Sequence, residues 1–205
     1  MLAVVLLGAS SAAAAGPPPT DDRPLPTIGG RSSVSRVEPR FSQVASALAG
    51  KPVEVRCWSR LDDEWRAWTD GRVSLLGLLA YYRKSNLSVL HASPRLCQPL
   101  VPFVYAKARP KNSTRAKADL AVALLSLAHE TQHLIGHAEE NVAECYGLQR
   151  IRPLARMLGA SRDYAAGLAR LAWKVYLSAP PDSYYSPECR DGGALDKNPA
   201  TAIWP

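Results

Sequence analysis

No Cys-x-x-Cys pair occurs among the four cysteines of this 205-residue chain, so the close ligand pairs of a zinc ribbon are missing. No run of five or more basic residues occurs either, although the net charge is +7. The 18 arginines and 7 lysines are scattered, which describes a solvated basic surface better than a nucleic-acid or anionic-surface footprint, and no nucleic-acid partner is expected. Beyond the first residues no apolar segment reaches the ~20 residues that span a bilayer. No internal repeat is found. Histidine is scarce too, and its distribution is uneven: of four in the chain, His129, His133 and His137 fall within nine residues.

The N-terminus reads as a presequence. Leu2 to Leu7 is a short apolar run, and small residues around Ala13 to Ala15 make a signal-peptidase site. The run is too short for a stable membrane anchor, so a secreted or cell-envelope protein is expected. In that setting Cys57, Cys97, Cys145 and Cys189 form two disulfides. Of the three possible pairings, Cys57–Cys97 with Cys145–Cys189 is favoured because it links neighbouring segments and ties the C-terminal tail to a helix.

Residues 1–15 are thus expected to be a signal peptide, 16–40 a flexible leader rich in Pro, Gly, Ser and Arg, and 41–205 a single domain. Phe41, Val44, Ala45 and Leu48 have helical spacing, stopped at Gly50. Val53 to Cys57 alternates as a strand. Trp58, Trp65 and Trp68 follow in a polar stretch and are expected to pack over a loop. Leu75 to Tyr82 and Leu87 to Ala92 flank a polar turn and read as a β-hairpin. Pro94 to Val104 is a short irregular or helical piece carrying Cys97. Three helices are expected at about 116–135, 138–158 and 161–178, with Gly136 and Gly159 as stops and Ser161 as an N-cap. The tail from Pro180 is irregular. The fold class is therefore α+β, a small antiparallel sheet or hairpin packed on a helical bundle.

Chemistry concentrates at His129-Glu130-x-x-His133. On a helix, residues four apart lie one above the other on one face, so both imidazoles can close on one metal ion with Glu130 beside them. Leu120, Leu124, Leu127 and Leu134 lie on the opposite side and bury the helix against the core. Two neutral nitrogens and a nearby carboxylate suit a zinc-dependent hydrolase, with one zinc ion and Glu130 as general base. A third protein ligand is required, and His137, Glu139, Glu140 and Glu144 are candidates. If the chain reverses around Gly136 and His137, position 140 returns level with His133 and position 144 level with His129. That geometry favours Glu140 as ligand, with Glu144 accepting the free N–H of a ligand histidine.

The pattern His129-Glu130-x-x-His133 followed by Glu140-Asn141-Val142-Ala143-Glu144-Cys145 resembles the gluzincin metallopeptidases. More narrowly it is similar to the Glu-x-x-Ala-Asp-Cys of bacterial neutral zinc metallopeptidases, and to secreted bacterial proteins with the same compact motif. Six residues separate His133 from Glu140, fewer than in thermolysin-like enzymes, and position 144 is Glu rather than Asp. The match covers about residues 124–150. The resemblance implies a minimal zincin-like domain that cleaves a peptide or protein substrate, with His129, His133 and Glu140 on zinc and Glu144 behind a ligand. Glu139 and Gly136 also match positions of the metzincin pattern, but Met157, the only downstream methionine, lies in an Arg-rich helical stretch rather than a turn. His137, Tyr164, Tyr184 and Tyr185 are eligible to steady an oxyanion. The strand Leu87 to Ala92 is expected to line the cleft as an edge that pairs with an extended peptide, with His91 a packing or substrate-side residue. A zinc-stabilised binding protein that cleaves nothing is the alternative; it has no need of a general base at Glu130.

Overall fold

The computed structural model describes residues 27–28, 31–32, 35–58, 80–83, 86–110, 114–178, 183–201 and 204. The expected signal peptide, Trp65, Trp68 and the beginning of the expected hairpin lie outside them. Two short strands, β1 (Thr27–Ile28) and β2 (Arg31–Ser32), pair with each other. A four-stranded sheet is built from β3 (Ser35–Val37), β4 (Glu54–Trp58), β5 (Ala80–Arg83) and β6 (Asn86–Ala92), in the order β3-β4-β6-β5. Among the described residues there are five helices: α1 (Pro39–Ala49), α2 (Pro94–Tyr105), α3 (Thr114–Leu134), α4 (Glu140–Met157) and α5 (Arg162–Ser178).

The α+β class holds, and the hairpin forms as an antiparallel β5–β6 pair. The sheet as a whole is mixed, because β4 runs parallel to β6 with Val55 opposite Leu90 and Cys57 opposite Ala92. This crossover places β6 between two neighbours. The expectation that Leu87 to Ala92 forms an edge open to a peptide is therefore corrected: both sides of β6 are already hydrogen-bonded, and the edge beyond it is β5. Ordered structure also begins before Phe41, with β3 inside the stretch expected to be a leader. Glu38 N–H donates to Val55 O, which fastens the start of α1 to β4. Ser42 and Ser46 of α1 accept from the backbone N–H groups of Val55 and Val53, so the helix lies along the strand.

Gly50, Gly136 and Gly159 all have positive φ, as expected of residues that end helices. Ser161 accepts from Tyr164 N–H and Ser93 from Leu96 N–H, the N-cap bonds of α5 and α2. The core runs through Phe41, Val55, Leu90, Leu96, Leu100, Phe103, Leu120, Leu124, Leu127, Leu148, Ile151 and Leu154. From Ala123 to Leu134 every α3 residue except Ser126 is buried, because α1, α2, α4, α5 and the sheet all pack on it. Trp58 ends β4 and is buried against His91, its ring centroid 6.3 Å away.

Both disulfides have the expected pairing. Cys57–Cys97 joins β4 to α2, and Cys145–Cys189 joins α4 to the tail. They point to an oxidising compartment. Among the described residues, no helix is long and apolar enough to cross a membrane. No helix or strand is seen among the described residues after Ser178, in keeping with an irregular tail.

Candidate metal centre

The site forms where α3 ends and α4 returns beside it. After Leu134 the chain turns through Gly136, φ 103°, and His137 N–H donates to Gln132 O to close the turn. The reversal is tight enough that the first turn of α4 meets the last turn of α3. Glu140, the first residue of α4, lands with Oε2 3.1 Å from His129 Nε2 and 3.4 Å from His133 Nε2. The two Nε2 atoms are 2.9 Å apart. All three residues are buried, and their ligand atoms are grouped closely enough to hold one metal ion.

The outer nitrogens of both imidazoles are engaged. His133 Nδ1 is 2.6 Å from His137 O, and a carbonyl can only accept, so Nδ1 carries the proton. His129 Nδ1 is 2.8 Å from Glu144 Oε2, a carboxylate that likewise accepts. In the neutral rings both Nε2 lone pairs therefore face Glu140 Oε2, bringing three acceptors together in a buried space. Such a cluster is repulsive unless a proton or a cation lies within it. The donor set fits a metal ion, since two imidazole nitrogens, one carboxylate oxygen and anchored outer N–H groups are what such an ion requires.

The electrostatics agree. Burial depresses the His129 imidazolium, but hydrogen bonds to Glu140 and Glu144, reinforced by nearby carboxylate charge, outweigh it and hold the pKa up at about 10. Without metal, the acceptors thus share a proton on His129. Burial pushes Glu140 up, yet its bonds to His129 and His133 prevail and bring it down to about 2. Glu130 behaves differently. Burial raises it to about 7 despite the pull of both histidines, and its Oε2 is buried without a hydrogen bond. A carboxylate beside the candidate metal-binding group is therefore held above its ordinary range by burial.

The structure brings together His129, His133, Glu140 and Glu144, as expected if the chain reverses around Gly136 and His137. Glu139 is exposed at the N-cap of α4, and the His137 side chain turns to Tyr146, ring centroids 4.8 Å apart, while its backbone carbonyl holds His133. His91 is buried on β6 and is not in the group. Of the eligible oxyanion donors, Tyr184 alone has its ring against a ligand, 5.7 Å from His129 between centroids. Tyr164 stacks on Phe103 and donates to Pro110 O, and Tyr185 stacks on Tyr176.

One residue that positions the site has no role in the sequence reading. A Cβ at Gly147 would lie 3.0 Å from His129 N and 3.2 Å from His129 Cα, so its absence lets α4 cross α3 directly over the ligand. The available signal was a glycine in a helix interior, which costs about 1 kcal/mol relative to Ala and so marks a packing need. Comparison with protein-family models, with curated proteins and with solved structures finds no match. The case for the site thus lies in its own geometry.

Proposed function

We propose that this chain is an exported zinc-dependent peptidase, with His129, His133 and Glu140 holding one zinc ion and Glu130 as general base. The observation that carries this reading is the convergence of two Nε2 lone pairs and a carboxylate oxygen, with the outer nitrogens already committed to Glu144 and His137 O. A His-His-Glu set is a nitrogen-and-oxygen donor set of the kind zinc accepts, and three protein ligands leave a position for water or substrate. Zinc, when bound there, supplies a Lewis acid that polarises a carbonyl and lowers the pKa of water to about 7. Glu130 takes the proton from the attacking water as the new C–O bond forms, then returns it to the nitrogen as the C–N bond breaks. Glu144 fixes the orientation of His129, and the His137 carbonyl that of His133. The substrate is a peptide or protein met in the secreted or cell-envelope space, in keeping with two disulfides.

The test is elemental analysis of purified protein beside His133→Ala and Glu130→Gln, with cleavage of a broad peptide library. Wild type is expected to carry one zinc and to cut. Glu130→Gln keeps the zinc and does not cut, and His133→Ala loses both. Equal, negligible zinc in wild type and His133→Ala sinks the reading. Zinc in wild type with an uncut library leaves a zinc-stabilised binding protein instead.

A further inference from the structure

Basic residues are scattered along the chain, but the hairpin of α4 and α5 gathers some of them. Residues 150–178 hold six basic side chains against one acidic, Asp163. The two helices are joined by four residues and pack together, so they run antiparallel, and positions equally far from the turn lie level. Arg152, five residues before the end of α4, is thereby level with the stretch of α5 between Arg162 and Arg170. Arg162, Ala166 and Arg170 follow one another at intervals of four and form one row, a methyl group between two long cationic arms. A Cβ at Gly167 would meet nothing within 4 Å among the described residues, so α5 is uncovered here. Burial lowers the pKa of Arg152, and the charges of Arg170 and Arg162 lower it further. Its Nε is buried without a hydrogen bond, and among the described residues no side-chain hydrogen bond or ion pair holds any of the three. Other arginines around the same hairpin do find acceptors: Arg156 donates to Ala160 O, and Arg109 to Phe103 O and Gly159 O. Three like charges set together without a counter-ion oppose folding, and a surface that keeps them suits an anion brought from outside.

We propose that Arg152, Arg162 and Arg170 form a second binding site, for inorganic phosphate or a phosphomonoester dianion. A guanidinium is a planar fork that meets two oxygens at once. A carboxylate has a single charge and two oxygens, which one arginine satisfies. A phosphomonoester brings a charge of about −1.5 to −2 and three acceptor oxygens, enough to engage two or three arginines. Arg152 is half-buried, which restrains its head between the exposed Arg162 and Arg170 and reduces the ordering that binding requires. The site is separate from the metal centre, since Arg152 lies twelve residues past Glu140 and so about 18 Å along α4. It stands whether or not the metal centre is catalytic.

The test is calorimetric titration of the full chain with phenyl phosphate near neutral pH, with benzoate as the carboxylate control. Physiological salt is used, because it screens diffuse surface attraction beyond about 8 Å. The variants are Arg152→Gln, Arg162→Gln and Arg170→Gln, with Arg115→Gln on α3 as a basic residue outside the cluster. Wild type and Arg115→Gln are expected to bind one phenyl phosphate saturably, and each cluster variant to bind it at least about tenfold more weakly. Benzoate gives no saturable binding. In phosphate-free buffer each cluster variant melts no lower than wild type, because a repulsion has been removed, and phenyl phosphate raises the melting temperature of wild type more than that of any cluster variant. Phosphatidylcholine vesicles containing phosphatidic acid separate two sources of the same chemistry. Capture that needs the three arginines assigns a lipid headgroup, and phenyl phosphate binding without capture assigns a soluble phosphomonoester. No saturable binding of phenyl phosphate, equal binding of benzoate, or an affinity that the three substitutions leave unchanged overturns the proposal. Should Arg152→Gln fail to fold, the exposed Arg162 and Arg170 carry the test alone.

Discussion

Replacing Gly147 with alanine tests whether the crossing of α3 and α4 sets the metal geometry. The added Cβ would lie 3.0 Å from His129 N, 3.2 Å from His129 Cα and 3.3 Å from Leu125 Cδ1. Leu125 can rotate; the two backbone atoms cannot. Reaching the 3.4 Å at which ordinary contact begins requires the helices to part by 3.4 − 3.0, about 0.4 Å. Metal–ligand distances tolerate only about 0.2 Å. Because Glu140 and Glu144 both ride on α4, the displacement reaches the proposed metal ligand and the carboxylate bonded to His129 at once. Overpacking of this kind costs about 1–3 kcal/mol, and the better helix propensity of alanine returns about 1 kcal/mol. The net loss of about 0–2 kcal/mol lowers the melting temperature of metal-free protein by no more than about 8 °C for a chain of this size. Zinc affinity is expected to fall by about tenfold or more, comparable to loss of a supporting partner. Thermal melting and competition against a chromogenic chelator measure the two effects separately. A Gly147→Ala variant with wild-type zinc affinity would refute the argument that this close approach builds the site.

Glu144→Ala leaves the three ligands in place but frees His129 Nδ1, and is expected to weaken zinc binding by about 10–100-fold, read in the same chelator competition. Zinc affinity should also rise with pH, about tenfold per unit between pH 7 and 10, because zinc must displace the proton held on His129 up to about 10; a flat profile would contradict that proton's presence. In the metal-free protein the sign of the linkage differs between groups. His129, raised from 6.5 to about 10, contributes stability that is complete below pH 6.5 and lost as pH rises through 10. Glu140, lowered from 4.5 to about 2, contributes stability present above pH 4.5 and lost as pH falls through 2. Denaturant unfolding of metal-free protein across this range should therefore weaken at both ends, and a Glu140→Gln variant should lose the acid-side decline attributable to this group.

The candidate metal centre was legible because its parts are local. His129, His133, Glu140 and Glu144 lie within sixteen residues of chain, and helix period plus one glycine turn predicts their meeting. The disulfide pairing followed from the same logic of neighbouring segments. The sheet was less legible because its defining contact is remote. The parallel pairing of β4 with β6 leaves no mark in the alternation of either strand, and the hairpin signal names only the partner nearest in sequence. The strand expected to be an edge was for that reason central. Tyr184 stood among four eligible donors with nothing to separate them, because its place depends on a tail whose course is set by Cys189 and Ser186 rather than by periodicity.

Those remote constraints also explain how a cluster this polar can be held together. His129, Glu130, Thr131, Gln132 and His133 are five consecutive buried polar residues, an arrangement that apolar packing alone opposes. Gln132 Oε1 and Glu130 Oε2 are buried without hydrogen bonds, so part of that cost is not offset locally. The offset lies at the periphery. The preceding turns of α3 anchor in the core through Leu120, Leu124 and Leu127, and two disulfides close loops of 40 and 44 residues. In the chain-entropy account such loops contribute about 4 kcal/mol apiece. One of the bonds attaches to α4 at Cys145, beside the acid that orients His129, and therefore ties down the helix that supplies Glu140. A donor set fixed by covalent links before metal arrives need not be ordered by the metal. Binding free energy is then available for affinity, rather than being spent on folding as in small domains whose only staple is zinc.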